Sequence, residues 1–111
     1  MNKLIERIIQ FRDARDWKQF HLPKNLAISL LLEASEVLEL FQWTKDGNLP
    51  PERKNDLKEE LADVYYWVLL LAHECNIDLD KALEEKMEQN ETKYPVEKAK
   101  GNAIKYNRRK S

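Results

Sequence analysis

At 111 residues, 42% apolar and 35% charged, the chain is long enough for one domain around one modest core and too apolar to be a disordered acidic or basic segment. Two glycines and four prolines argue against a turn-rich sheet fold, a net charge of -1 gives no global pull toward nucleic acid or membrane, and the single Cys75 excludes a disulfide framework or a cysteine zinc site and fits a reducing cytoplasm. The charged stretch Met1 to Arg15 lacks a signal peptide's apolar run, and the uncharged run from Val64 to Ala72, nine residues, falls well short of the roughly 20 that a membrane span needs.

Leu4, Ile5, Ile8, Ile9 and Phe11 recur at helical spacing and predict a first helix over about Asn2 to Asp16. An aromatic connector follows, Trp17 to Leu22. Pro23 suits the first turn of a second helix, where its missing N–H would be unpaired anyway. Leu26, Leu30, Glu33, Val37 and Leu40 share one stripe of that helix, with Glu36 beside Leu32, Leu40 and Trp43, and the helix is expected to end near Trp43, before the loop Lys45 to Pro51. Pro51 and Glu52 open a third helix, whose buried face is marked by Leu57, Glu60, Leu61, Val64, Trp67, Val68 and Leu71 as far as about Glu74. Asn76 to Asp78 is a break, and Asp78 or Asp80 caps a fourth helix running to about Thr92. No regular structure is assigned from Tyr94-Pro95 onward. That end is basic: Lys93, Lys98, Lys100, Lys105, Arg108, Arg109 and Lys110 stand against one acid, Glu97. The expectation is an all-α fold, a four-helix antiparallel bundle over residues 1–93 with a basic tail over 94–111. Leu, Ile and Trp on several helix faces predict oligomerisation.

Two acid pairs at the same spacing stand out, Glu33-x-x-Glu36 and Glu60-x-x-Asp63, each within an apolar helical stretch. Residues three apart on a helix have Cβ atoms roughly 5–6 Å apart, so each pair can converge its oxygens on one point, and two facing helices would make a four-carboxylate cage. One such pair among 20 acids is ordinarily a solvated face. A second, again on an apolar face, changes that reading, because packed carboxylates oppose one another's ionisation and a hard divalent cation removes the conflict. Oxygen-only donors select Mg²⁺, Mn²⁺ or Ca²⁺ over zinc or copper, and Mg²⁺ where phosphates complete the shell. A di-iron bundle is the rival, but its signature is Glu-x-x-His, and neither pair contains a histidine.

Trp17, Trp43 and Trp67 are many tryptophans for this length and would ordinarily be core. Trp17 opens the connector before His21, however, and Trp43 lies at the end of the helix that carries the first acid pair, so both are placed to wall a slot for a flat base. Here the strings Trp17-x-x-Phe20-His21-x-Pro23-x-Asn25-Leu26, Glu33-x-x-Glu36-x-x-Glu39-Leu40-Phe41-Gln42-Trp43, Glu59-Glu60-Leu61-x-Asp63-Val64 and Lys86-Met87-x-x-Asn90-x-x-Lys93-Tyr94-Pro95 resemble the MazG-type all-α nucleoside triphosphate pyrophosphohydrolases, within them the dCTP pyrophosphatase branch.

The resemblance implies that Glu33, Glu36, Glu60 and Asp63 bind Mg²⁺, with Mn²⁺ as a substitute; a carboxylate beside metal-bound water can take its proton, and Glu33 or Glu36 is the expected general base. It implies substrate contacts from Trp17, Lys18, Gln19, Phe20, His21, Asn25, Trp43 and Trp67. Lys86, Asn90 and Lys93, spaced to share one helix face, match the family's phosphate-facing positions. Trp67 stands where that branch usually has a tyrosine and Ile8 where relatives have a histidine, which leaves the choice of base open. The implied reaction converts a (deoxy)nucleoside triphosphate, dCTP or a modified dCTP, to monophosphate and pyrophosphate in a cytoplasmic homodimer or homotetramer, with no membrane or nucleic-acid partner. A non-catalytic helical interaction module is the alternative, and it leaves the matched acid pairs unexplained.

Overall fold

The structure, a computed structural model, describes residues 3–104. Every regular element among them is helical: α1 (Lys3–Ala14), α2 (Pro23–Glu39), α3 (Lys54–Glu74), α4 (Leu79–Lys93) and α5 (Val96–Ala99), with 3-10 turns at Lys18–Phe20 and Pro51–Arg53. The chain forms two compact units, Met1–Ile77 and Asp78–Ser111. The all-α class and the four expected helices are present. Met1 and Asn2 at the start, and the tail residues Lys105, Tyr106, Arg108, Arg109 and Lys110, lie outside the described residues.

In the first unit α2 packs most extensively against α3, and α1 packs on α3. The helix ends explain how the chain turns between them. α1 stops where Asp16 takes φ +54°; the Asp16 N–H then donates to the Asp13 carbonyl at 3.1 Å and the Trp17 N–H to the Arg12 carbonyl at 3.1 Å. This is the paired closure of a helix C-terminus by a left-handed residue. α3 ends the same way, with Asn76 at φ +56°, Asn76 N–H to the His73 carbonyl at 3.2 Å and Ile77 N–H to the Ala72 carbonyl at 2.9 Å. Aspartate and asparagine tolerate this conformation better than other side chains.

Pro23 lies in the first turn of α2, as its fixed φ favours. The helix ends at Glu39 rather than near Trp43. Beyond it the N–H groups of Leu40, Phe41, Gln42 and Thr44 reach back three residues, to Val37, Leu38, Glu39 and Phe41, so the chain tightens into 3-10-like turns. Apolar spacing alone does not distinguish that geometry from a continuing α-helix. Asp78 is the cap of α4, its Oδ1 accepting from the Lys81 N–H at 3.2 Å. α5, one turn after Pro95, falls where the sequence assigned no regular structure.

The core of the first unit is small: Leu26, Leu40, Leu69, Leu70 and Ala72, joined by Arg12 and His21. Each fully buried leucine contributes on the order of 1.5–3 kcal/mol. Leu69, Leu70 and Ala72 lie in the apolar run expected to be buried, whereas Leu61, placed by periodicity on the buried face, is half exposed.

Candidate metal centre

Glu33 lies in the C-terminal half of α2 and meets Glu60 in the N-terminal half of α3, while His21, just before α2, meets Trp67 further along α3, so the two helices run antiparallel. One carboxylate oxygen each from Glu33, Glu36 and Glu60 lies within 4.8 Å of the other two. Glu33 and Glu60 are half buried and Glu36 is exposed. Asp63, the fourth expected ligand, is exposed and outside that group, although its charge is felt at both Glu33 and Glu60.

Two of these carboxyls, Glu33 and Glu60, bind their protons more tightly than usual. Burial, followed by the hydrogen bond and charge of Glu36 and the charge of Asp63, raises Glu33 above the usual carboxylate range, while the Trp67 indole N–H opposes the rise. Hydrogen bonding to the Glu36 carboxyl, then burial and the neighbouring charges, push Glu60 up to about 7. Glu33 Oε2 and Glu60 Oε2 are buried without a hydrogen-bond partner. A buried carboxylate oxygen left unpaired is costly, and these two belong to a set of hard oxygen donors. The residues present therefore fit a hard divalent cation.

An aromatic wall adjoins this cluster through Trp67. The Trp67 ring meets His21 edge-on at 6.1 Å between centroids and Tyr66 at 5.0 Å. His21 is 9% exposed, and its Nδ1 is buried without a partner. Burial, then the Arg12 charge, lowers its pKa, against an opposing pull from Glu74. Trp17 is held by α1, packing edge-on against Phe11 at 5.5 Å. Arg15 covers the Phe11 ring at 3.9 Å, an exposed cation–π contact.

Other expected site residues are placed differently. Gln19 turns back on the connector, its Nε2 donating to the Asp16 carbonyl and Oδ2, and Lys18, Phe20 and Asn25 are exposed. Trp43, beyond the end of α2, is 86% exposed. In the second unit Lys86 is exposed and Asn90 and Lys93 are half buried on α4.

Arg12 and Glu74 are the residues that sequence reasoning missed. Arg12 is 2% exposed, its Nη1 donates to Glu74 Oε1 and its Nε to Asp13 Oδ1 at 3.1 Å. A signal was available. Arg12 continues the apolar stripe Ile5, Ile8, Ile9, and Glu74 continues Trp67, Leu70, Leu71, the same interruption of an apolar face that singled out the acid pairs.

A family model described as MazG-like matches residues 28–108. Among curated proteins, the chain is 42% identical to dCTP pyrophosphatase 1 of Mus musculus and 40% identical to that of Homo sapiens, in each case over 87% of this chain and 60% of the relative. The chain thus spans about 60% of the length of these curated relatives. Among solved structures, a pyrophosphatase from Archaeoglobus fulgidus superposes with a TM-score of 0.80 and 41% identity, over 84% of this chain and 90% of that one.

Proposed function

The chain belongs to the MazG-like family, and on that premise we propose that it is a Mg²⁺-dependent nucleoside triphosphate pyrophosphohydrolase that converts dCTP, or a modified dCTP, to the monophosphate and pyrophosphate. The observation that carries the proposal is the convergence of Glu33, Glu36 and Glu60 with two unpartnered buried oxygens, beside the wall of Trp67 and His21. The similarity to dCTP pyrophosphatase 1 of Mus musculus and Homo sapiens supports the choice of substrate.

Glu33, Glu36 and Glu60 would hold Mg²⁺, or Mn²⁺ in its place, with Asp63 as a fourth, outer acid. When bound, the cation supplies charge neutralisation for the triphosphate oxygens and Lewis-acid assistance to their hydrolysis. The chain's own residues do the rest. Hydrolysis joins the oxygen of a water to phosphorus, breaks the α–β anhydride and sends the bridging oxygen out with the pyrophosphate. Glu33 or Glu36 takes the water's proton; burial and the neighbouring acids raise the proton affinity of Glu33, which suits a general base. Trp67, His21 and the connector Trp17, Lys18, Gln19 and Phe20 face the nucleoside, with Asn25 and Trp43 as further contacts. Lys86, Asn90 and Lys93 are assigned to the phosphates, where ammonium and amide donors make charge-assisted bonds. We assign the protein to the cytoplasm as a homodimer or homotetramer, without a membrane or nucleic-acid partner; no helix among the described residues is long and apolar enough to cross a membrane.

Pyrophosphate release across the common and modified triphosphates, with Mg²⁺, tests this reading. The wild type should favour a deoxycytidine triphosphate, and Glu60→Gln should lower turnover by about a hundredfold or more with an unchanged circular dichroism spectrum. Unchanged turnover in that variant overturns the metal assignment. A thermal midpoint that no nucleotide raises in the presence of Mg²⁺ favours the helical interaction module instead.

A further inference from the structure

Arg12 is the most buried charged residue described, and nothing in the proposed reaction uses it. Its surroundings indicate what it does. Its guanidinium joins the last turn of α1 to the last turn of α3 through Glu74. Its own carbonyl receives the Trp17 N–H, and with that bond the connector leaves the helix. The charge of Arg12 is felt at His21 on that connector and at Tyr66 on α3. His21 and Tyr66 are the two rings that meet Trp67 edge-on, and the Trp67 indole N–H acts on Glu33. Glu74 is thus bonded to Arg12, the Arg12 charge reaches His21, and the His21 ring meets Trp67 beside the acid cluster.

We infer that Arg12, fixed by Glu74, is a positioning residue that sets the exit of the Trp17–His21 connector and holds the His21 ring against Trp67, so that the wall facing the nucleoside is formed before substrate arrives. A guanidinium suits the task because its planar donors fix direction as well as distance: Nε engages Asp13 while Nη1 engages Glu74. Glu74 sits at a helix C-terminus, where a negative charge is unfavourable by itself, and Arg12 offsets that charge. The rest of the connector is held by local contacts, Trp17 against Phe11 and Gln19 against Asp16, while Lys18, Gln19 and Phe20 are all exposed.

The inference rests on the proposed reading for what the wall is for, but not for how the wall is held. A paired replacement, Arg12→Met with Glu74→Leu, removes both charges without stranding either, an exchange that folded proteins commonly tolerate. In the folded double variant KM for the preferred triphosphate should rise about tenfold while kcat changes less than about twofold, the pattern of a binding contribution lost equally from ground and transition states. The midpoint shift produced by Mg²⁺ alone should be unchanged. The chain has two histidines, so the His21 ring protons can be assigned by NMR with His73→Gln as reference. Their resonances should move in the double variant as the ring leaves the edge of Trp67. Arg12→Lys, which restores a cation, should recover part of both effects.

Wild-type KM together with unmoved His21 resonances in the folded double variant overturns the inference. If the double variant does not fold, Arg12→Lys and Glu74→Gln decide: a raised KM at preserved kcat supports it, and an unchanged KM overturns it. If the wild type releases pyrophosphate from no triphosphate, the proposed function falls, and the NMR arm alone decides the positioning role, moved resonances supporting it and unmoved ones overturning it.

Discussion

A carboxylate that is half buried beside two others ionises only against resistance, and the acids of this site make that resistance measurable. Glu33 and Glu60 are both raised above their ordinary values, Glu60 to about 7. The folded protein therefore binds protons more tightly there than the unfolded chain does. Stability from these groups is fully present below the ordinary carboxylate range and is lost as pH rises through the folded values. Without divalent cation, the thermal midpoint should accordingly fall between about pH 5 and about pH 8, as followed by circular dichroism. Mg²⁺ should raise the midpoint more at the upper pH than at the lower, and Glu60→Gln should flatten the pH dependence. A cation effect of the same size at both ends would argue against binding at these acids. The geometry also ranks the four acids. Asp63 lies outside the convergent group, so calorimetric titration should show Asp63→Asn weakening Mg²⁺ binding less than Glu36→Gln. The reverse order would place Asp63 inside the coordination sphere.

Among the elements, the hairpin of α2 and α3 carries the acids and the contact of α1 with α3 carries the wall behind them. Arg12 ties the second contact. Truncating one partner of a buried ion pair strands the other, at a cost of about 3–5 kcal/mol. Arg12→Ala should therefore lower the unfolding free energy measured in urea by an amount of that order, far more than Arg53→Ala, whose bond to Asp56 at 2.8 Å lies among exposed side chains. Equal losses would mean that Arg12 is not electrostatically buried. The helices were legible in the sequence because the stripe Leu26, Leu30, Glu33, Val37, Leu40 repeats with the helical period and Pro23 and Asp78 mark starts by mechanism. The 3-10 turns after Glu39 were not, since Leu40, Phe41 and Trp43 fit either spacing. The acid pairs were legible because each repeats the other within an apolar face. Arg12 and Glu74 interrupt apolar faces just as visibly, yet singly and on different helices, and only the packing of α1 on α3 makes them a pair. Likewise, the burial of His21 follows from the connector's path and not from its local composition.

For the molecule as a whole, many large apolar residues among those described are exposed. Ile28, Leu31, Leu32 and Leu38 follow helical spacing along one side of α2 and are exposed, Leu31 and Leu38 at 70% each. An apolar stripe of this kind is covered in most stable proteins. Self-association by the isologous rule, each copy presenting the same patch, is the economical way to cover it. Leu31→Glu with Leu38→Glu should shift sedimentation toward a smaller species while leaving helical content intact; an unchanged distribution would remove α2 from the interface. The three tryptophans differ sharply in surroundings, and this gives the protein a built-in optical reporter. Trp43, at 86% exposure, should emit at long wavelength as a steady background. Trp67, whose indole faces Glu33 on one side and His21 on another, should change in intensity as the acids gain or lose charge. Removing the other two indoles with Trp17→Phe and Trp43→Phe would leave an emission band whose brightness follows events at the acid cluster directly, with no dye or label attached.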